Sequence, residues 1–326
     1  REPAQPRRDR EPAGVAAAAV SRELLAVRKA VADALDGPAV VACSGGADSL
    51  ALAAAAAMVT WPMTAAVIDH GLQGGSDEVA RKAAEQCRTL GLTVTVRSVE
   101  VGVDGGPEAG ARTARYAALR EIAGGRPILL AHTLDDQAET VLLRLSRGSG
   151  ARSLQAMAVH EGDLVRPLLG LRRALVRRAC LDAGLTPHED PHNLDERFAR
   201  SRLRHHGLPA LVDDLGDGVV LGLGRSATLL REDNAALDGW ADAVMTDDVE
   251  VLAGLPRAVL VRVVRRLALD AGCPGSALTR EHLIAVAALV EAWRGQGPIH
   301  LPGGVLAARK SGRLVLHRAA GRDHAG

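Results

Sequence analysis

The sequence predicts an α/β fold, a parallel sheet with helices on its faces, followed by a smaller and mainly helical domain. Three observations carry this. In the first half, short apolar runs alternate with helix-length stretches at similar intervals, the spacing of βαβ units, which require parallel strands. Hydrophobic residues make up 47% of the chain but aromatics only 2%, so the core must be built of Ala, Val and Leu in close layers, which suits helices packed on a sheet. At 326 residues the chain exceeds the roughly 250 to 300 at which a single core stops growing. Two domains are therefore expected, residues 15–220 and 221–326, after a tail at 1–14 whose Pro, Arg and Glu content leaves little to bury and marks disorder rather than a secretory signal.

The strands are expected at Ala39 to Cys43, Ala65 to Asp69, Thr93 to Val99 and Ile128 to Ala131, with helices between them at Ser49 to Met58, Ser76 to Leu90 and Ala109 to Ala123. Further helices are expected at Asp136 to Ser146, stopped by Gly148-Ser149-Gly150, and at Leu171 to Ala183, stopped by Gly184. The polar stretch from Thr186 to Pro209 holds three prolines and reads as an ordered, functional loop. In the second domain, Ala258 to Leu269 places Val259, Leu260, Val263, Val264 and Leu267 on one helical face, and Thr279 is the expected N-cap of a helix up to Trp293. Ile299 to Leu301 and Leu314 to His317, among glycines, read as a small strand pair.

Parallel strands point their carboxyl ends the same way, and polar groups collected there mark the ligand crevice of an open α/β sheet. The first strand runs into Ser44-Gly45-Gly46-Ala47-Asp48-Ser49, the second ends at Asp69-His70-Gly71, and the fourth leads to His132 and then Asp135-Asp136. In the first of these loops the glycines let backbone N–H groups approach an anion, and the helix that follows presents its positive dipole end. Ser44 and Ser49 offer hydroxyls to phosphate oxygens, and Asp48 can hold magnesium. No lysine is present, so this is not a Walker loop. A tight strand-to-helix turn with Ser44 as N-cap would use some of the same residues; the complete S-G-G-x-D-S after an apolar strand favours phosphate chemistry. Asp136 and Glu139, three residues apart, share one helical face beside the same crevice, where they could bind a metal or a cationic substrate. First-turn acids capped by Thr133 are the competing structural explanation.

The glycine loop resembles the pyrophosphate loop, or PP-loop, of the N-type ATP pyrophosphatases, which cleave ATP to AMP and pyrophosphate while adenylating a carbonyl oxygen. Four further stretches narrow the likeness. His132-Thr133-Leu134-Asp135-Asp136-Gln137-Ala138-Glu139-Thr140, Asp69-His70-Gly71-Leu72, Glu108 through Tyr116, and Glu189-Asp190-Pro191-His192-Asn193 running to Arg204 resemble elements of the lysidine synthetases, in order, over about residues 38 to 215. Gln73 stands where many members have Arg, and Ser201 where Asn is common.

That resemblance implies a ligase that uses ATP to adenylate the carbon-2 oxygen of the wobble cytidine in an isoleucine tRNA with a CAU anticodon, then joins lysine to carbon 2. It implies a nucleotide site of Ser44, Gly45, Gly46, Asp48, Ser49, Asp69 and His70, magnesium on Asp48, and catalytic roles for Asp48, Arg112 and Asp136. It assigns lysine to His132, Asp136 and Glu139, and tRNA to Arg202, Arg204 and the second domain. Asp136 or Glu139 would accept the proton of the attacking amine.

The net charge of +1 makes no whole-chain case for RNA, but from Arg166 to His206 nine arginines face five acids, a local excess of four. Arg172, Arg173, Arg177 and Arg178 fall at helical spacing, as a phosphate strip or a solvated face. Cys43, Cys87, Cys180 and Cys273 form no C-x-x-C pair, which argues against a cytidine 2-thiolase needing clustered cysteines and for reduced thiols in a cytoplasmic protein. A noncatalytic RNA- or nucleotide-binding protein that retains the loop is the other alternative. The Ala-rich run Ala51 to Val59 is too short to span a bilayer, so no membrane role is expected. A homodimer is left open.

Overall fold

The computed structural model describes residues 20–69, 71, 75–99, 107–148, 150–190 and 195–319. The expected tail at 1–14, His70, Leu72, Gln73, Ser149 and Pro191-His192-Asn193 lie outside them, as does the side chain of Glu108. The chain divides into two compact units after Thr228.

The first unit is the α/β domain. In order it contains α1 (Arg22–Asp33), β1 (Ala39–Ala42), α2 (Ala47–Ala57), β2 (Met63–Asp69), α3 (Ser76–Thr89), β3 (Thr93–Ser98), α4 (Pro107–Ala123), β4 (Ile128–Leu129), α5 (Leu134–Leu145), α6 (Ala151–Leu154), β5 (His160–Glu161), β6 (Leu164–Val165) and α7 (Arg173–Asp182). The sheet order is β3-β2-β1-β4-β6-β5, parallel except for β5, which closes the edge antiparallel to β6. β1 pairs with β2 from Ala39 against Met63 to Ala42 against Ala66, and with β4 at Val40 and Val41. The ends of β2, β1 and β4 therefore lie side by side, and the loop after β1 opens between Asp69 and the segment leading to His132.

The low aromatic content shows in α2. From Leu50 to Ala56 every residue is buried, because the five alanines there let the sheet and the neighbouring helices approach on all sides of it. Leu24, Val27 and Val31 of α1 and Val176 and Ala179 of α7 complete that core. A helix apolar all round belongs inside a layer, and this one carries the Ser44 loop on its N-terminus.

The stretch expected as a loop to Pro209 is helical from Ala199. α8 (Ala199–Arg202) runs through a π turn at Leu203–Gly207 into α9 (Leu208–Leu215). Pro209 lacks an N–H and ought to break a helix; the change to π spacing just before it absorbs the lost bond, as at other π-bulges. α10 (Gly218–Ala243) then runs on as a single helix. Gly224 on it meets Leu134 so closely that an added Cβ would lie 2.5 Å from Leu134 Cδ1.

The second unit holds the C-terminal part of α10, then α11 (Val249–Ala253), α12 (Arg257–Asp270), α13 (Arg280–Glu291), β7 (Ile299–Leu301), β8 (Val305–Lys310) and β9 (Arg313–Arg318). Thr279 caps α13, accepting the His282 N–H at 3.5 Å. Val259, Leu260, Val263 and Val264 are buried in one core with Leu283, Val286, Leu301, Val305 and Leu314. The expected strand pair is a three-stranded antiparallel sheet, with β8 between the two predicted strands. β8 escaped the sequence reading because its Val-Leu-Ala-Ala start has no alternation.

Candidate active site

The Ser44 loop is built around one hydroxyl. Ser49 Oγ donates to Gly46 O at 2.9 Å and accepts the Ser44 N–H at 3.2 Å, with Ser44 Oγ at 3.2 Å from it. Gly45 turns the chain at φ +84°, and an added Cβ there would stand 3.2 Å from Ala83 Cβ on α3, so both conformation and space call for glycine. The Gly45 carbonyl accepts the His188 N–H at 2.9 Å, tying the loop to the segment after α7. Ser44 is not the N-cap of α2. Gly46 is, and no side chain caps that helix, so its first-turn N–H groups keep their capacity for an anion.

α5 is the opposite case. Thr133 is its N-cap, and Asp136 Oδ2 reaches back to accept the Thr133 N–H at 2.8 Å and its hydroxyl at 2.7 Å. The capping explanation for Asp136 thus accounts for one carboxylate oxygen. The other, Oδ1, accepts from Arg173 Nη2 at 2.8 Å and Arg204 Nη2 at 2.7 Å. Glu139, one turn on, is wholly buried. Its Oε1 accepts from Arg173 at 2.9 Å and Arg204 Nε at 3.0 Å, its Oε2 from Arg204 Nη2 at 3.0 Å, and Arg200 Nε lies 3.4 Å away. Asp135 accepts the Arg173 backbone N–H at 2.7 Å and faces Arg172 at 3.4 Å. Acids of α5 and arginines of α7, α8 and the π turn form one network, as buried charges must.

Asp48, on the first turn of α2, faces this network but is not absorbed by it. Arg173 Nε is 3.9 Å from its Oδ2 and has no hydrogen-bond partner among the described residues. Burial, and then the Asp136 carboxylate, push the Asp48 pKa up to about 6 against the pull of Arg173 and Arg204. Asp136 behaves oppositely. Burial alone would raise it, but Arg173, the Thr133 N–H and Arg204 more than reverse that and hold it at about 2. With those guanidiniums in place Asp136 is a weak base, and proton uptake from an amine requires that they withdraw. Burial lowers His132 to about 4, the Asp136 carboxylate opposing and Arg166, Arg200 and Arg112 assisting, so its ring is neutral at pH 7. Its Nδ1 is buried without a hydrogen-bond partner among the described residues.

The structure thus brings Asp48, Asp136, Glu139 and Arg204 together, with Ser44, Gly45, Gly46 and Ser49 on the adjoining loop. Asp69 ends β2 and accepts the Gly71 N–H at 3.0 Å. Arg112, on α4, has its guanidinium over the Tyr116 ring at 5.0 Å and its charge acts on His132. Arg202 is exposed and donates to the Glu196 and Arg197 carbonyls at 2.5 and 3.0 Å. Arg204, paired with tRNA in the sequence reading, points inward to the acids. Arg173, read there as part of a phosphate strip or solvated face, is the centre of the network. The signal was present in the buried face of α5, whose three acids demanded cations from elsewhere in the chain.

Two family models match the chain, a PP-loop domain over residues 20–211 and a TilS substrate binding domain over residues 248–315. The tRNA(Ile)-lysidine synthase of Nocardia farcinica is 54% identical over 311 residues, covering 90% of this chain and 97% of that protein. The chain belongs to the tRNA(Ile)-lysidine synthase family. The enzymes of that name from Rhodococcus erythropolis, at 52% over 85% of this chain and 89% of the relative, and Thermobifida fusca, at 50% over 89% and 95%, agree. Among solved structures, the U34-tRNA thiolase NcsA from Methanococcus maripaludis superimposes with a TM-score of 0.53, covering 64% of this chain and 79% of that one. At 17% identity it shares the fold, whereas the lysidine synthase family is shared across both units. No helix among the described residues is long and apolar enough to cross a membrane.

Proposed function

We propose that the chain is the ATP-dependent ligase of its family, a cytoplasmic enzyme that adenylates the carbon-2 oxygen of the wobble cytidine in isoleucine tRNA with a CAU anticodon and joins lysine there, releasing pyrophosphate and AMP. The observation that carries this is the pairing of two unlike helix ends in one crevice. α2 has an uncapped N-terminus behind a glycine turn, suited to a leaving pyrophosphate; α5 has a self-capped one whose acids, suited to an ammonium group, are held by arginines.

The reaction makes an anion on one side and consumes an amine on the other. N–H groups at the start of α2, with the Ser44 and Ser49 hydroxyls, would hold the leaving pyrophosphate where charge develops. Asp48 fits a magnesium ligand, because it is a carboxylate raised to about 6 with no cation in hydrogen-bond contact among the described residues, and magnesium characteristically takes one or two carboxylates with phosphate oxygens and waters. Magnesium there would neutralise phosphate charge. Glu139, Asp136 and the neutral His132 would orient the lysine side chain. A free lysine amine titrates at about 10.4, so it must lose a proton before attack; Asp136 becomes a competent acceptor once both Arg173 and Arg204 withdraw from it.

The test is incorporation of labelled lysine into an unmodified isoleucine tRNA transcript. Incorporation that requires ATP and leaves a methionine tRNA unlabelled is expected. Nucleotide binding with neither ATP–pyrophosphate exchange nor lysine incorporation would reduce the protein to a noncatalytic binder.

A further inference from the structure

Arg173 opens α7 and is set in place by its own backbone, whose N–H donates to Asp135 Oδ2 at 2.7 Å. From there its side chain reaches two places at once. Nη2 donates to Asp136 Oδ1 at 2.8 Å and to Glu139 Oε1 at 2.9 Å, on the acids of α5. Nε lies 3.9 Å from Oδ2 of Asp48, on the first turn of α2. That is too far for a hydrogen bond, and Nε is buried with no partner among the described residues. A guanidinium is a rigid planar fork, so anchoring Nη2 on the acids fixes where Nε stands. Buried donors are nearly always paired; one left unpaired beside an anion-binding loop awaits an acceptor that a ligand brings.

Arg204 supplies the comparison. It donates to the same Asp136 Oδ1 and Glu139 Oε1, and to Glu139 Oε2 as well. Among the described residues its ion pairs are with those two acids, whereas Arg173 also pairs with Asp48. Asp136 Oδ2 is held by Thr133 besides. Arg173 is therefore the guanidinium that the acids can release without losing every partner, and the one that borders the nucleotide loop.

The chemistry says which group belongs between the two places. The α-phosphorus of ATP is bonded first to the leaving pyrophosphate and then to the carbon-2 oxygen; in the second step that carbon–oxygen bond breaks, AMP departs and the amine nitrogen bonds to carbon 2. The α-phosphoryl group must lie between the loop that holds pyrophosphate and the acids that orient the amine. Arg173 spans that interval.

We propose that Arg173 binds the α-phosphoryl group through Nε and thereby couples the nucleotide site to the lysine site: drawn toward the phosphate, it gives up Asp136 Oδ1 and Glu139 Oε1, which the incoming ammonium then takes. This rests on the reading of the chain as an ATP-dependent lysine ligase. A charge-assisted bond to phosphate replaces those to the carboxylates, which supplies a cause for one of the two withdrawals that Asp136 needs before it can accept a proton. Such coupling is reciprocal, so nucleotide tightens lysine binding by the same factor that lysine tightens nucleotide binding.

The test titrates the full chain with lysine by calorimetry in magnesium buffer, alone, with pyrophosphate, and with α,β-methylene ATP, whose α–β linkage is not cleaved. The wild-type chain is expected to bind lysine at least about fivefold more tightly with the ATP analogue than alone, and to gain nothing from pyrophosphate, which lacks the α-phosphoryl group. Arg173→Lys keeps a cation for the acids but has no Nε. It is expected to bind pyrophosphate within about twofold of wild type, to bind the analogue roughly ten- to a hundredfold more weakly, and to lose the lysine coupling. A residue that only held the fold together would change pyrophosphate and analogue binding alike, or neither. Wild-type lysine binding no tighter with the analogue than with pyrophosphate would overturn the assignment, and so would a folded Arg173→Lys chain with wild-type analogue affinity and coupling. If that variant does not fold, the wild-type comparison decides alone. Incorporation of labelled lysine into isoleucine tRNA by the same wild-type preparation separates the two readings: incorporation without coupling removes only the role of Arg173, whereas neither incorporation nor analogue binding removes both.

Discussion

Two sets of arginine–carboxylate pairs, one in each unit, have opposite consequences. In the first unit Asp136 and Glu139 meet Arg173 and Arg204 in a largely buried cluster, Glu139 having no exposed surface. In the second, Arg262 and Arg266 of α12 meet Asp238 and Asp242 of α10 one turn apart, and the Arg266 and Asp242 side chains are 42% and 53% exposed. Distances are alike in both. Burial separates them, since desolvated charges tolerate no missing partner whereas solvated ones pair at little gain.

The largest effect is expected at Glu139. Glu139→Gln preserves size and helix propensity but removes the charge that the surrounding arginines require. Three guanidiniums converge on this side chain, and neutralising it leaves them facing one another in a buried site, at about 3 to 5 kcal/mol. Urea unfolding should show that loss, and replacing Arg204 by Met in the same background should recover part of it. A Glu139→Gln protein as stable as wild type would mean the network opens to water and belongs with the exposed ladder.

Asp48 should move the other way. Its pKa is raised to about 6 from 3.8 by burial and by Asp136. The folded state therefore binds a proton more tightly than the unfolded state, and stability present below pH 4 is lost as pH rises through about 6. Asp48→Asn removes that loss and is expected to stabilise the protein at pH 7 by about 2 to 3 kcal/mol, the difference from wild type shrinking toward pH 4. Ligase activity should fall to background in the same variant. Melting temperatures of both proteins from pH 4 to 8 check the sign, and coincident curves would remove Asp48 from the electrostatics of the site.

What could be read in advance follows the same division. β1 to β4, α2, the Ser44 loop and the Asp136–Glu139 face were legible because each depends on contiguous residues: an apolar run, a glycine turn, a three-residue spacing; the two-residue strands β5 and β6 were too short to show. The partners of those acids were not. Arg173 and Arg204 lie 34 and 65 residues beyond Glu139, and only the folding of α7 and the π turn against α5 brings them to it. Pro209 read as a stop because a π turn has no composition of its own, and β8 was lost in a stretch without alternation. Local chemistry shows in the sequence; the counter-ion of a buried charge is a property of the packing.

Between the extremes lies Arg202, two residues from Arg204 but on the exposed side, bonded only to the Glu196 and Arg197 carbonyls among the described contacts. Arg202→Ala is expected to leave stability within about 0.5 kcal/mol, to weaken tRNA binding by up to roughly tenfold and to flatten the salt dependence by about one counterion. Arg204→Ala should instead destabilise the fold, through Asp136 and Glu139. If the two variants behave alike in unfolding and in tRNA titration, exposure is not what divides their roles.

The smallest effect is expected on the α10–α12 ladder, where it isolates burial with chemistry held constant. Arg262 Nε donates to Asp238 at 2.9 Å and its Nη2 to Asn234 at 2.6 Å, with Asn234 only 3% exposed; Arg266, one turn on, makes the same kind of contact to Asp242 at 2.6 to 2.8 Å in open water. Same helices, same residue types and similar distances leave solvent as the variable. A double-mutant cycle of Arg266→Ala and Asp242→Ala should give a coupling of about 0.2 to 1 kcal/mol that fades by 1 M salt, because exposed pairs are screened within a few ångströms there. The cycle at Arg262 and Asp238 should give a larger coupling that salt leaves mostly in place, the pair being shielded and the guanidinium shared with a buried amide. Equal couplings with equal salt dependence would mean that geometry outweighs solvent in setting the strength of these pairs, and the contrast between the two units would then have to rest on the number of partners converging on Glu139.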